Sequence, residues 1–413
     1  MPGEIMTVPL VRDTHPVMPR LLYLGDVPIE ASYHGSLLLF RLLEDYPSEK
    51  LTVVETGNAS QFARRLPAVN YVSVPLGSRW LNTRFHSMVM AWLTFRSARP
   101  NARLIDLLSK TKFDSILTVV HGLGWLSAAA LARNANVPLH LIIHDDWPRA
   151  ANVPGRFRAW LDRNFASVYQ QAASRMTVSP FMRQHYFERY DCDADVLYPS
   201  RALSCPEFGV PPLRLSRNDH PLTIAFAGTI NSDGYFRTLI ALRDSLATVN
   251  GRLLIFGPLD RESARQNGLD DPRVELCGLL RSEDLITRLR DEVDALFVPM
   301  SFDKVDKPNM EMAFPSKLAD YTGIGLPLLI YGPAYCSAVR WANDNPGVAE
   351  VVQSEDRSLL TLAIQRLADA STRVALGARA LQTGRRYFEQ GVAQRIFLNA
   401  LAPANSDRAT TVK

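Results

Sequence analysis

The sequence predicts an α/β protein of two units, each an open parallel β-sheet covered by helices. Three observations lead there. Short runs rich in Val, Ile and Leu, apolar nearly throughout, recur along the chain with helical patterns between several of them. That is the signature of strands buried on both faces. The alternation lapses once, over 203–221, where LSCPEFGVPPLRLSRNDHP carries four prolines and no clear period, as a linker does. Glycines also stand at several strand ends, which is where open parallel sheets bind ligands.

In chain order, LLYLG (21–25) reads as the first buried strand, followed by the loop EASYHGS and a helix over 37–43. LTVVET (51–56), YVSVPL (71–76), SILTVV (115–120), LHLIIH (139–144), MTVS (176–179) and ADVLYP (194–199) complete the first sheet. After the link come LTIAFAGT (222–229), RLLIFGP (252–258), VELCG (274–278), ALFVPM (295–300), PLLIYGP (327–333) and AEVVQ (349–353), then a helical region from about 358 to 401. The division expected is a first domain over 1–202, a linker over 203–221, a second domain over 222–385, a C-terminal helix over 386–403 and a tail over 404–413.

Composition narrows the class. With 413 residues, 47% hydrophobic and 21% charged, the chain can bury large cores and is not of disordered type. A net charge of +4 does not mark a nucleic-acid binder. Cys192, Cys205, Cys277 and Cys336 form no CxxC pair and no zinc spacing, so reduced thiols in a cytoplasmic protein are expected. The start, MPGEIMTVPLVRDTHPVMPR, lacks an apolar core of signal-peptide length. No apolar run reaches the roughly 18 residues of a spanning helix. The expectation is a cytoplasmic protein that is soluble or peripheral on the inner face of a membrane.

FPSKLADY (314–321) carries the chemistry of the second unit. Pro315 suits the first turn of a helix, where a missing N–H costs nothing. Ser316 and Lys317 would share that turn, whose free N–H groups and positive dipole end favour a phosphate. A lysine there opposes the dipole and needs a negative partner, which a diphosphate supplies. Asp320 follows at i+3 on the same face, where its carboxylate can accept from two neighbouring hydroxyls, as on a ribose. A solvated Lys–Asp pair on a surface helix has the same spacing. Gly228 and Gly257 end the unit's first two strands, where glycine admits a ligand close to the backbone and is also ordinary turn punctuation. No G-x-G-x-x-G opens either unit in strand–helix context, which counts against a dinucleotide oxidoreductase.

Taken in order, the second unit's blocks resemble the nucleotide-binding domain of the GT-B glycosyltransferases, specifically the retaining family 4-like group. IAFAGT is similar to that domain's opening strand and glycine loop, and LLIFGP to its second strand and turn. VELCGLLRSEDL is similar to the strand, glycine and helix that follow, and VDALFVPM to the strand before the donor loop. FPSKLADYTGIGLPLL is similar to the donor-binding helix in a Pro-Ser-Lys form. The resemblance covers roughly 222–353. It implies two Rossmann-like domains facing across a cleft, a nucleotide-diphosphate sugar as substrate, and no metal or other cofactor. It implies donor contacts from Lys317, Ser316, Pro315, Leu318, Asp320, Gly228, Thr229 and Gly257. The group's E-x7-E pair falls here on Met312 and Asp320, and its usual arginine and lysine after the first glycine fall on Thr229 and Tyr235. Lys317, with Arg281 after the Gly278 turn, is left to hold the diphosphate. The resemblance also implies that the final helical region crosses back to the first unit.

In the first unit YHGS (33–36) sits where the group has its glycine loop, which implies Gly35 beside donor and acceptor. HDDW (144–147) follows a strand where relatives carry a His-Asp pair, which implies His144 at the sugar hydroxyls with Asp145 beside it. A histidine at a strand end can donate to a sugar oxygen and titrates near neutral pH; a lone histidine is also commonly structural. Arg201, in YPSR, is in reach of a phosphate. Residues 79–112 hold seven Lys/Arg and one acidic residue, Asp106, and Phe85, Met88, Trp92 and Phe95 fall at helical spacing. The stripe reads as the face that packs on the sheet. The arginines, with Arg156, Arg158 and Arg163, read as contacts to an anionic membrane surface or a lipid-diphosphate acceptor.

The resulting expectation is a retaining glycosyltransferase that moves a sugar from a nucleotide-diphosphate donor to a glycan or lipid-linked acceptor, in cell-surface polysaccharide or glycolipid synthesis. The alternatives are a non-catalytic binding protein on the same fold and a nucleotide-sugar epimerase.

Overall fold

The computed structural model describes residues 18–31, 36–57, 64–147, 149–230 and 232–402. The first sheet has seven strands, β1 (Leu21–Gly25), β2 (Leu51–Glu55), β3 (Asn70–Ser73), β4 (Ser115–Val119), β5 (Leu139–Ile143), β6 (Ser174–Thr177) and β7 (Asp195–Val196). They lie in the order β3-β2-β1-β4-β5-β6-β7, all parallel. The second has six, β8 (Thr223–Ala227), β9 (Arg252–Phe256), β10 (Val274–Gly278), β11 (Ala295–Pro299), β12 (Leu328–Tyr331) and β13 (Ala349–Val352). Their order is β10-β9-β8-β11-β12-β13, again all parallel. Each run read as a strand from the sequence becomes one, with ends moved by no more than three residues.

The strands form where they do because they are buried on both faces. β1, β4, β5 and β11 are buried at every position, and β-branched and leucine side chains fill both sides. Strand order reverses between β1 and β4 and between β8 and β11. Those two points, at the carboxyl ends of the strands, are where such sheets hold ligands.

The domains are bound together behind these edges. Ser179 Oγ donates to the Met312 carbonyl at 2.8 Å, and Arg201 Nε to the Ala319 carbonyl at 3.1 Å. Phe314 packs edge-on against Tyr198 and Trp341, with Phe388 beside them. The last helix, Gln390–Leu401, returns to the first domain. Its Ala393, Phe397, Ala400 and Leu401 share a core with Leu21, Leu39, Met176 and Leu197. Gln390 donates to the Arg41 carbonyl and accepts from Ser200 Oγ. The link 203–221 contains one short turn of 3-10 helix, Leu213–Ser216, pinned by the buried Leu215.

One expectation is overturned here. The helix His86–Ser97 packs through Leu93, Thr94 and Ser97, so the stripe of Phe85, Met88, Trp92 and Phe95 faces solvent instead of the sheet.

Candidate active site

In the second domain the site forms around the helix Lys317–Ile324, which connects β11 to β12. Gly325 closes it in the left-handed conformation, φ +78°. Ser316 is the N-cap and is exposed, making no side-chain cap bond. Pro315 therefore lies just before the cap, one position earlier than the first turn where the sequence placed it. Its carbonyl accepts from the Leu318 N–H, and the Leu318 side chain is fully buried. Any ligand contact from Leu318 is thus left to neither its side chain nor a free N–H.

Two tyrosine hydrogen bonds fix this helix to β8. Tyr321 Oη lies 2.7 Å from the Ala227 N–H and 3.0 Å from the Ala227 carbonyl. The Lys317 ammonium then sits 4.1 Å from the centre of the Phe226 ring and against Gly228. A Cβ on Gly228, whose φ is +144°, would lie 3.2 Å from Nζ. Lys317 makes no ion pair or hydrogen bond among the described residues. Burial pulls it down to about 7. A cation desolvated and unpaired in this way lacks its counter-charge.

Gly257 has a different reason to be glycine. At φ +155°, its Cβ would stand 2.3 Å from the Gly228 carbonyl oxygen, so it lets the two strand-end loops stack. Thr229 follows Gly228 on the same loop. Arg281 is exposed at the N-cap of the helix Ser282–Glu292, after β10. β10 is the edge strand, two places from β8, so Arg281 follows a strand that is not the neighbour of the one ending at Gly228.

Asp320 turns toward the first domain. Its carboxylate lies 3.3 Å from the Arg41 guanidinium, which the helix Leu37–Leu43 presents and which also donates to the Ser200 carbonyl. Lys317 and Asp320 share a helix but have separate neighbours, one on the glycine loop and one across the domain interface. Arg201 is also near, buried and committed through Nε to Ala319. Met312, eight positions before Asp320, is buried in the interface.

On the first domain's edge, His144 and Asp145 follow β5. Asp145 lies 3.1 Å from His144 Nε2 and 3.9 Å from Nδ1 of His121, which follows β4. Trp147 packs on His121, ring centres 5.5 Å apart. Burial raises the Asp145 carboxyl, but the His144 hydrogen bond and both imidazoles more than offset this and hold it below the usual range. Burial and His144 lower His121. One ligand atom from each of the three lies within 4.8 Å of the others, so this trio could hold a metal ion. Gly35 lies outside the described residues.

The helix N-terminus nearest the β1 switch point is already occupied by a protein carboxylate. Asp26 accepts from the N–H groups of Leu123 and Gly124, where the helix Gly124–Ala135 begins, and from Thr56 Oγ1 at 2.5 Å. The anion-binding potential of that helix is spent internally, whereas the Lys317 helix has no side-chain cap among the described residues. The sequence reading missed Asp26, Arg41 and His121.

Comparison with known proteins places this geometry. Residues 45–197 match the Glycosyl transferase 4-like domain. No curated protein sequence matches the chain. Among solved structures, HepE of Anabaena, solved in complex with UDP and glucose, superposes with a TM-score of 0.62 at 13% identity, covering 92% of this chain and 98% of its own. Sucrose-phosphate synthase from Thermosynechococcus elongatus gives 0.64 at 15% identity, covering 91% and 97%. The lipopolysaccharide outer core galactosyltransferase WaaB gives 0.62 at 15%, covering 92% and 98%. Residues 45–197 thus match a glycosyl transferase 4-like domain, and the chain as a whole shares the GT-B fold of these solved structures.

Proposed function

We propose that the protein is a retaining glycosyltransferase that moves a sugar from a nucleotide-diphosphate donor to a glycan or lipid-linked acceptor in cell-surface polysaccharide or glycolipid synthesis. The observation that carries the reading is Lys317, a partly buried cation without a counter-charge among the described residues, held against the Gly228 loop at a helix N-terminus. A diphosphate supplies the missing charge, and the N–H groups of Ser316 and Lys317 add donors, those of Leu318 and Ala319 being bonded to the Pro315 and Ser316 carbonyls. Asp320 takes the ribose hydroxyls, sharing its carboxylate with Arg41.

His144 contacts the sugar hydroxyls, and Asp145 fixes its ring orientation. The charge that develops on the leaving diphosphate is stabilised by Lys317 and the helix N-terminus. The incoming hydroxyl passes its proton to a diphosphate oxygen on the same face, so the protein need supply no nucleophile. The two domains position donor and acceptor.

Thermal unfolding with UDP, GDP, ADP, dTDP and NAD tests this. A ligand of the folded state adds about 2.7 kcal/mol at a hundredfold excess over its Kd. UDP comes first, because HepE and a trehalose-6-phosphate protein from E. coli of the same fold were solved with UDP or a UDP sugar. A shift with one nucleoside diphosphate, lost in Lys317→Ala, supports the reading and names the base. No shift with any of them favours a non-catalytic binding protein, the alternative suggested by Thr229 and Tyr235 standing where the group has cations.

A further inference from the structure

We infer that the first domain docks on an anionic lipid surface through the face formed by residues 79–99. Among the described residues the face is apolar, cationic and exposed at once. Trp80, Phe85, Met88, Trp92 and Phe95 are each 40–58% exposed. An isolated exposed apolar side chain is ordinary, but a continuous group of five, three of them on one helix, marks an interaction site. The inward side of the helix His86–Ser97 is the more polar one. Thr94 and Ser97 are buried there with Leu93, and Ser97 accepts through its carbonyl from Ser127 Oγ at 3.3 Å.

Four exposed arginines frame the aromatic rings. The guanidinium of Arg79 lies 5.9 Å from the Trp80 ring centre, Arg84 4.9 Å from Phe85, Arg96 5.4 Å from Trp92 and Arg99 4.3 Å from Phe95. The face carries no acidic side chain between 79 and 99. Guanidinium groups beside amphipathic rings fit a layer where phosphates lie just above acyl chains, and fit a protein core poorly.

The charge complementarity extends to the neighbouring helix. Phe95 meets Trp160, ring centres 5.6 Å apart, on the helix Gly155–Gln171. Arg156 and Arg163 of that helix are exposed. Arg149, Arg158 and Arg189 beside it are committed within the protein, to Asp146, to the Arg149 and Ala151 carbonyls and to Asp162 respectively, so Arg156 and Arg163 carry the extension. Among the described residues no helix is long and apolar enough to cross a membrane, so the contact is one of lying on the surface. A cationic apolar face of this kind selects anionic headgroups over a second copy of itself, since two copies would set arginine against arginine.

Flotation of the purified full chain with vesicles tests the inference. Binding is expected to vesicles of phosphatidylcholine with about a third phosphatidylglycerol and not to phosphatidylcholine alone, and to fall as salt rises. Arg84→Gln/Arg96→Gln lowers the affinity, about fivefold per arginine. Trp80→Ser/Trp92→Ser lowers it without changing its salt dependence, and the wild-type tryptophan emission shifts to shorter wavelength on binding. All four positions are exposed, so the variants fold, and their stabilisation by nucleoside diphosphates is unchanged. That readout separates this inference from the transfer reaction. Wild-type chain that stays off anionic vesicles at low salt overturns it, as does vesicle binding by the two double variants equal to that of wild type, or a stable dimer in light scattering that Trp92→Ser dissolves.

Discussion

Replacing Lys317 with methionine is expected to stabilise the empty protein and to abolish its response to diphosphates. Methionine keeps the stem's reach under Phe226 and removes only the charge. In the free protein the lysine falls from 10.5 to about 7 through burial. Below pH 7 the folded and unfolded chains both hold the proton, and the folded chain bears the whole desolvation penalty. Between about pH 7 and 10.5 only the unfolded chain still holds it, so raising the pH stabilises the fold through that window. A drop of this size corresponds to about 5 kcal/mol, and the cation–π contact with Phe226 returns about 1–2 kcal/mol of it. Lys317→Met should therefore be about 3 kcal/mol more stable than wild type at pH 6, with the difference closing by pH 10.

Urea unfolding of both proteins between pH 6 and 10 checks this, because the difference between them cancels the other titrating groups. The ligand arm is the complement. UDP, or whichever diphosphate binds, should stabilise wild type and leave Lys317→Met unmoved. Wild-type affinity should weaken above pH 7, by at most about tenfold per pH unit, because the bound form requires the protonated amine. A methionine variant that is less stable at pH 6, or one that still responds to the diphosphate, refutes the view of Lys317 as a cation kept without a partner for a phosphate.

Three further outcomes follow from the same geometry. Asp320→Asn should lose about tenfold in UDP affinity by calorimetry while binding of inorganic diphosphate stays constant, and its stability should barely move because the Arg41 pair is partly exposed. Gly257→Ala should cost about 2–4 kcal/mol in urea unfolding, since its Cβ would press on the Gly228 carbonyl in a backbone region that alanine avoids. His140, buried beside Ser174 and held down to about 4 by burial, binds its proton only in the unfolded chain between about pH 4 and 6.5. Stability should fall by about 3 kcal/mol as pH drops through that window, and His140→Gln should flatten the decline.

Much of this architecture was legible because its signals are local. A strand buried on both faces must be apolar at nearly every position, so LLYLG, LHLII and ALFVP announce themselves without knowledge of their neighbours. The Pro-Ser-Lys start and the strand-end glycines are local too. The residues that were missed acquire their roles only through the fold. Arg41 is one charge in the apolar helix LLLFRLL, and nothing near it in sequence tells that Asp320 will face it across the interface. His121 looks like any single histidine. Its meaning comes from β4 lying beside β5, which brings it to Asp145. Two histidines that each follow an adjacent parallel strand must emerge on one edge, and that rule could have paired them.

The exposed stripe shows a different limit, one of sidedness. Helical spacing of Phe85, Met88, Trp92 and Phe95 establishes that the four share a face, but periodicity alone does not say whether that face looks in or out. The arginines settle it. Arg96 stands at i+4 from Trp92 on the same side of the helix, and Arg99, just past the helix end, lies over the Phe95 ring. A face that carries its own cations cannot pack on a sheet of leucine and valine, because each guanidinium would be buried without a partner. The opposite side offers Leu93, Thr94 and Ser97, small enough to sit close to the helix Gly124–Ala135. Charge placed among aromatics, rather than opposite them, is thus the sequence signal that a helix turns its apolar side outward.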